Sequence, residues 1–250
     1  MPRMFSSLRS RCMLVVTLTL IPALAFVLLA AVQDRQQERR VVESQASLLA
    51  ESISVEEEQW IEGTRQLLGA LSHTPQVREA DPLACGAFLS SLLEDFDSYI
   101  NFGIVDPTGS VRCSASPIPT TVDAGDRATF QRAMEFGTFA IGESNISPAT
   151  GLRAVTFGHP LSDDQGQAQG VLFATLDLAW LNRQHAQRVA LQLPDGASLT
   201  EIDENGVVLV HQPEWDAWVG KSAAGSMLVR TVLEQGRGVM ETTGLDGQAG

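Results

Sequence analysis

The sequence predicts an α+β protein in which an N-terminal transmembrane helix and a long stalk helix carry antiparallel five-stranded sheet modules in tandem, the second incomplete. Three observations point there. Residues 12–32, CMLVVTLTLIPALAFVLLAAV, hold no charge over 21 positions, enough helix to cross a bilayer. Residues 33–72 then repeat apolar side chains at helical spacing. From Tyr99 onward short apolar runs alternate with turn signals, and part of that pattern returns later: Asp203 follows Asp106 by 97 positions and Gly236 follows Gly137 by 99.

Composition narrows the class. With 250 residues and 44% hydrophobic content the chain can build one large or two small domains. A net charge of -13 argues against nucleic acid, which needs a basic face. The four histidines, at 73, 159, 185 and 211, have no ligand-like spacing, so neither a metal nor another cofactor is expected. GKS at 220–222 is not a phosphate loop, because Trp215 stands where that motif needs glycine. Gly236-x-Gly238 finds Glu241 in place of a third glycine and follows a helix. There is no G-x-S-x-G elbow or paired-carboxylate motif, and the chain is not expected to be an enzyme.

At the N-terminus, Arg3, Arg9 and Arg11 precede the charge-free run and place residues 1–11 in the cytoplasm, although Arg35, Arg39 and Arg40 on the far side pull the other way. A cleaved signal peptide would have a shorter apolar core and a small-x-small site, of which Ala30-Ala31-Val32 is a poor version, so an uncleaved anchor is expected. Pro22 is tolerated inside a membrane helix. The stalk, 33–75, carries an apolar stripe through Val41, Val42, Leu48, Leu49, Ile53, Trp60, Ile61, Leu67, Leu68 and Leu71, with Glu56, Glu57 and Glu58 on the wet side. Gly63 and Gly69 weaken it and Pro75 ends it. The stripe is longer than one small module covers, which predicts a homodimer through the stalk. The alternative is that it folds entirely onto its own domain.

A second helix is expected at 82–95. Tyr99–Val105 and Ser110–Ala115 then read as a hairpin around DPTG at 106–109. In DRATFQRAMEFGTFAIGE, residues 126–143, Asp126 is the expected N-cap of a helix carrying Phe130, Ala133 and Met134, and Gly137 its left-handed C-cap. Thr138–Ile141 leads into Ile141–Ile146, which pairs with Leu152–His159 around SPATG at 147–151. After the turn DDQGQ at 163–167, Gly170–Leu178 completes five strands, connectable as a meander with helices on one face. The first module takes 76–190 and the second 191–250. In the second, "TEIDENGVVLVHQP" at 200–213 answers "GIVDPTGSVRCSAS" at 103–116, and "LVRTVLEQGRGVME" at 228–241 answers "FQRAMEFGTFAIGE". After Gly236 only 14 residues remain, ending on the turn signal GLDGQAG, so the sequence reads as a fragment.

These features together resemble the double Cache extracytoplasmic sensor domain of bacterial receptors of the histidine kinase, diguanylate cyclase or chemoreceptor type. The pieces that carry the resemblance are DRATFQRA with its trailing Gly137, IGESNISPATG, GLRAVTFGHPLSDDQGQAQGVLFATLDLAWL, and the Cys85/Cys113-Ser-Ala pair. The resemblance implies two stacked PAS-like modules, the first distal and the second proximal to the bacterial inner membrane, with residues 33–250 periplasmic. It also implies a cytoplasmic output domain beyond this chain. In amino-acid-binding members an arginine at the start of this helix grips the ligand carboxylate, two aromatics close over it, and an acid ending the last strand takes the ammonium group. Arg127, Phe130 and Asp177 stand at matching places. Thr129 replaces a tryptophan, Val122 stands near a tyrosine's place, and Asn145 and Ser147 replace a tyrosine and an aspartate.

The expected ligand-binding residues are therefore Arg127, Phe130, Asp177, Tyr99, Asn145 and His159, holding a carboxylate or another small polar metabolite. Each has a plainer reading. Arg127 can pair with Glu135 or Asp123 at the surface, Asp177 can cap the helix beginning at Ala179, and Phe130 can be core. Tyr99 and His159 can satisfy buried backbone. Cys85 and Cys113 are candidates for a disulfide, being outside the reducing cytoplasm, or else for two buried thiols. The expected function is a membrane-anchored small-molecule sensor. The alternatives are a ligand-free dimerisation ectodomain and an anchored hydrolase.

Overall fold

The central strands of the sheet are the ones whose residues are buried on both faces, and that accounts for the strand order. The computed structural model describes residues 44–79, 81–119, 124–125, 127–189, 193 and 197–235. The chain divides between Ser52 and Ile53 into two compact units. In the first unit residues 44–52 are helical; the expected span at 12–32 and the start of the stalk at 33–43 lie outside the described residues. Among the described residues no helix is long and apolar enough to cross a membrane.

The second unit opens with α1, residues 53–71, followed by α2 (Pro75–Arg78) and α3 (Pro82–Asp95). Pro75 and Pro82 each sit in a first turn, where the missing N–H costs nothing. The Asp81 carboxylate caps α3 by accepting from the N–H groups of Leu83 and Ala84. Strands β1 (Tyr99–Val105) and β2 (Val111–Ser114) precede α4 (Ala128–Phe136). Then come β3 (Ala140–Ile146), β4 (Arg153–Ser162), β5 (Ala168–Asp177) and α5 (Leu178–Val189).

The strands form one antiparallel sheet in the order β2-β1-β5-β4-β3. This corrects the expected meander. β1 and β5 are buried along nearly their whole length and take the centre side by side, whereas β3 alternates and takes an edge. A second correction concerns the helices, which cover both faces. Leu172, Ala174 and Leu176 of β5 pack with Leu68 and Leu71 of α1 and Leu89 of α3. Val171, on the opposite face, packs with Ala133 and Phe130 of α4. A disulfide joins Cys85 of α3 to Cys113 of β2, with Cα atoms 6.1 Å apart.

Helix α5 leads to a smaller two-stranded sheet of β6 (Leu199–Ile202) and β7 (Val208–Gln212), followed by α6 (Trp215–Trp218) and α7 (Met227–Gln235). The two hairpins turn alike. Asp106 Oδ1 accepts from the N–H groups of Thr108 and Ser110, and Asp203 Oδ1 from those of Asn205 and Val207. Gly236, the proposed counterpart of Gly137, lies outside the described residues. Asn182 of α5, fully buried, ties that helix to β7: its Nδ2 donates to Leu178 and Leu209 carbonyls, and its Oδ1 accepts from the His211 N–H.

Candidate ligand-binding site

A cavity of about 70 Å³ lies on the α4 face of the large sheet. Its floor is alternate residues of the central strands, among them Asn101 and Val105 of β1, Ala154 and Thr156 of β4, and Val171, Phe173 and Thr175 of β5. Its walls are the first turn of α4 and the end of β3 with its following loop, Asn145 to Pro148. The Asn101 carboxamide oxygen accepts from Ser114 Oγ at 3.0 Å and Ser116 N–H at 2.9 Å, so that polar group is satisfied within the fold. The Thr156 and Thr175 hydroxyls face each other at 3.3 Å.

Arg127 is placed here by the start of α4. The observed N-cap is Arg127 itself, with extended backbone, and not Asp126, which lies outside the described residues. Arginine has no short oxygen with which to cap, and the structure shows no side-chain cap bond. Among the described residues the guanidinium has no hydrogen bond or ion pair, with Glu135 or any other acid, and it lines the cavity. At the other end Gly137 takes the left-handed conformation, φ 62°, and its N–H closes on Ala133.

The helix lies very close to the sheet. A Cβ at Gly142 of β3 would collide with Thr129 Oγ1 and come within 2.9 Å of the Thr156 carbonyl oxygen. Thr129 therefore fits where the resemblance would place a tryptophan, because the strand below it lacks a side chain.

Of the six residues expected at the site, the cavity collects Arg127, Phe130 and Asn145. The other three do not line it. Tyr99 faces α1, its hydroxyl 2.6 Å from Thr64 Oγ1. The register of β1 against β5 slips between Tyr99 and Asn101, so two residues of equal parity point to opposite faces. Burial pushes the Tyr99 pKa up, against the opposing Thr64 bond. His159 also lies on the α1 face, where the space beside Gly69 is taken by its Nε2; burial pushes its pKa down. Asp177 ends β5, but its Oδ1 accepts from the Ala179 N–H at 2.9 Å and its Oδ2 lies 3.5 Å from Arg183. It does not line the cavity, and its plainer reading as a helix cap describes it. The residues missed were Asn101, Thr156 and Thr175. The available signal was a polar residue inside an otherwise buried strand.

A second cavity, about 290 Å³, lies between α1, β3 and β6. Two ion pairs stand at its wall, Arg132 with Glu204 at 2.7 Å and His185 Nδ1 with Glu201 Oε1 at 3.0 Å, and Glu57, Glu143 and Asp203 also line it. Glu57 and Trp60 line it, which moves Glu57 off the wet side of the stalk; burial, then the Glu201 charge, push the Glu57 pKa up. Among the described residues no cluster of His, Cys, Asp and Glu could hold a metal ion.

No curated protein sequence matches the chain. Several solved structures share the fold. The extracellular domain of rpHK1S-Z16, a protein assigned as a histidine kinase, superimposes with a TM-score of 0.64 at 19% identity, covering 75% of this chain and 78% of that one. The ligand-binding domain of the Pseudomonas fluorescens chemoreceptor CtaA, in complex with L-serine, gives 0.52 at 21%, covering 67% and 70%. That of the Pseudomonas aeruginosa PAO1 amino acid chemoreceptor PctB, in complex with L-Arg, gives 0.51 at 22%, covering 67% and 68%. At these identities the likeness is one of fold. The dCache_1 model, described as a Cache domain, matches residues 33–248, most of the chain. With a five-stranded sheet, a second small sheet and that matched span in agreement, the chain belongs to the Cache domain family of sensor domains.

Proposed function

We propose that this chain is the membrane-anchored, extracytoplasmic sensor part of a bacterial receptor, and that it binds a small molecule in the cavity beneath α4. Residues 12–32 are the anchor in the inner membrane, 33–75 the stalk, 76–190 the membrane-distal module and 191–250 the membrane-proximal one. Arg127 anchors the ligand, while Phe130 and Asn145 close over it. The observation that carries this reading is an arginine, without a side-chain partner among the described residues, lining a half-open and mostly apolar cavity. A guanidinium in that setting binds an anionic oxygen pair more strongly than it would at an open surface. Neighbouring folds crystallised with L-serine, L-Arg and, for PctC, GABA support a small-molecule ligand.

The signal would be a shift in population: ligand favours one arrangement of the stalk pair over another by its difference in affinity for the two. A homodimer through the stalk supplies those paired helices, and a kinase, cyclase or chemoreceptor domain beyond this chain supplies the output. The test is a panel of small carboxylates and amino acids screened by thermal shift against the full chain in lipid nanodiscs. At least one is expected to stabilise the wild type, with binding at least tenfold weaker in Arg127→Ala. Ligands that bind the variant equally well would place the site elsewhere.

A further inference from the structure

We infer that the larger cavity, between α1, β3 and β6, is a second binding site, and that it takes a primary organic amine with an apolar body. It is separate from the cavity beneath α4, because the strands turn alternate residues to the two. Ala154, Thr156 and Thr175 line the one, and Val155, Phe157 and Leu176 the other.

The first reason is a convergence of carboxylates from three elements. Glu57 comes from α1, Glu143 from β3, and Asp203 and Glu204 from the turn between β6 and β7. Arg132 is matched by Glu204, and His185 by Glu201. Glu57, Glu143 and Asp203 have no ion pair among the described residues. Asp203 carries the argument furthest. Its Oδ1 accepts from the N–H groups of Asn205 and Val207, while its Oδ2 is buried and has no hydrogen-bond partner among the described residues. A buried carboxylate oxygen without a donor is costly, and a ligand ammonium brings three donors. Glu57 has the same need: burial, then the Glu201 charge, push its pKa up, and a cation beside it would reverse that.

The second reason is the wall. Trp60, Val155, Phe157, Leu176 and Leu181 offer hydrocarbon and ring surface, which suits an apolar body, and an aromatic wall also attracts a cation. A bare metal ion does not fit, since among the described residues no cluster of His, Cys, Asp and Glu could hold one.

2-Phenylethylamine and 2-phenylethanol share one body and differ in the ammonium group, so they isolate the claim. Calorimetry on the full chain in nanodiscs would compare them for wild type, Glu57→Gln, Asp203→Asn and Arg127→Ala, with melting curves confirming that each variant folds. Asp203→Asn keeps the oxygen that the turn uses, and the wild-type comparison needs no variant. The amine is expected to bind roughly tenfold more tightly than the alcohol, and each acid-to-amide change to remove most of that preference. Arg127→Ala should leave amine binding unchanged, which separates this site from the one beneath α4. Failure of the amine to bind, or an alcohol that binds as tightly, overturns the inference while the site beneath α4 stands. So does amine binding that either amide variant leaves unchanged, or that Arg127→Ala abolishes.

Discussion

The two faces of the large sheet are made from alternate residues of the same strands, yet along β1 and β5 one is solid at its centre and the other hollow, the larger cavity lying off that centre between α1, β3 and β6. On the side of α1 to α3, Leu68, Leu89, Phe102, Ile104 and Leu172 have 0% exposure and belong to one cluster. On the other side the nine-residue helix α4 packs on β3, β4 and β5, and its cluster is built on Ala133, Ala140 and Val171, all of modest size. The short helix packs tightly over one edge, and beside it the strand residues line the cavity together with Ile118 and Ala124. The cavity therefore follows from the length and close approach of α4, and the binding chemistry from the residue at its first turn.

The largest expected effect breaks the solid face. Phe102→Ala should cost about 3–5 kcal/mol, because the surrounding core cannot collapse into the space. Thr175→Val, on the hollow face, should change stability by about 1 kcal/mol or less, since it gives up one long hydroxyl contact. Urea unfolding of both variants followed by circular dichroism checks the contrast. Equal losses would mean the two faces are packed alike.

A smaller effect tests the close approach of α4. Gly142→Ala should cost about 1–3 kcal/mol by pushing Thr129 away. Thr129→Ala in the same chain should return part of that loss, while the contact with the Thr156 carbonyl keeps the rest. A double variant no better than the sum of the singles would show that Thr129 is not what the new methyl meets.

The smallest effect concerns the contact of α5 with β6, where His185 meets Glu201. Burial alone would push the His185 pKa down, but the Glu201 bond and charge outweigh it, and the result is raised above 6.5. The folded state then holds the extra proton, so this stabilisation is present below pH 6.5 and lost as pH rises through the folded value. His159, whose pKa is lowered, acts in the opposite sense and only below 6.5. Unfolding free energy measured from pH 6.5 to 8.5 should therefore fall, and His185→Gln should flatten that slope. An unchanged slope in the variant would remove the pair from the account.

Much of the fold could be read directly, because hydrophobic period and turn chemistry are local. Tyr99–Val105 and Pro82–Asp95 fall on the expected bounds, and Gly137 caps α4. Strand order was not readable in the same way. It depends on which strands need burial on both faces, a property of the whole sheet. Of the site, Arg127 was visible as a charge at the start of an amphipathic helix. Tyr99 and Asn101 exchanged roles because the register slip between them has no marker in YINFGIV. Asp177 has the parity of Thr175, but the helix that starts one residue later claims its carboxylate.

The most direct test of the central claim is the structure of the full chain with a small carboxylate from the thermal-shift panel bound. The account predicts the carboxylate within about 2.7–3.2 Å of the Arg127 guanidinium nitrogens, with the tail over Val171 and Phe173. A ligand seated instead in the larger cavity between α1, β3 and β6, or an Arg127 side chain turned outward to Glu135 with ligand present, would contradict it.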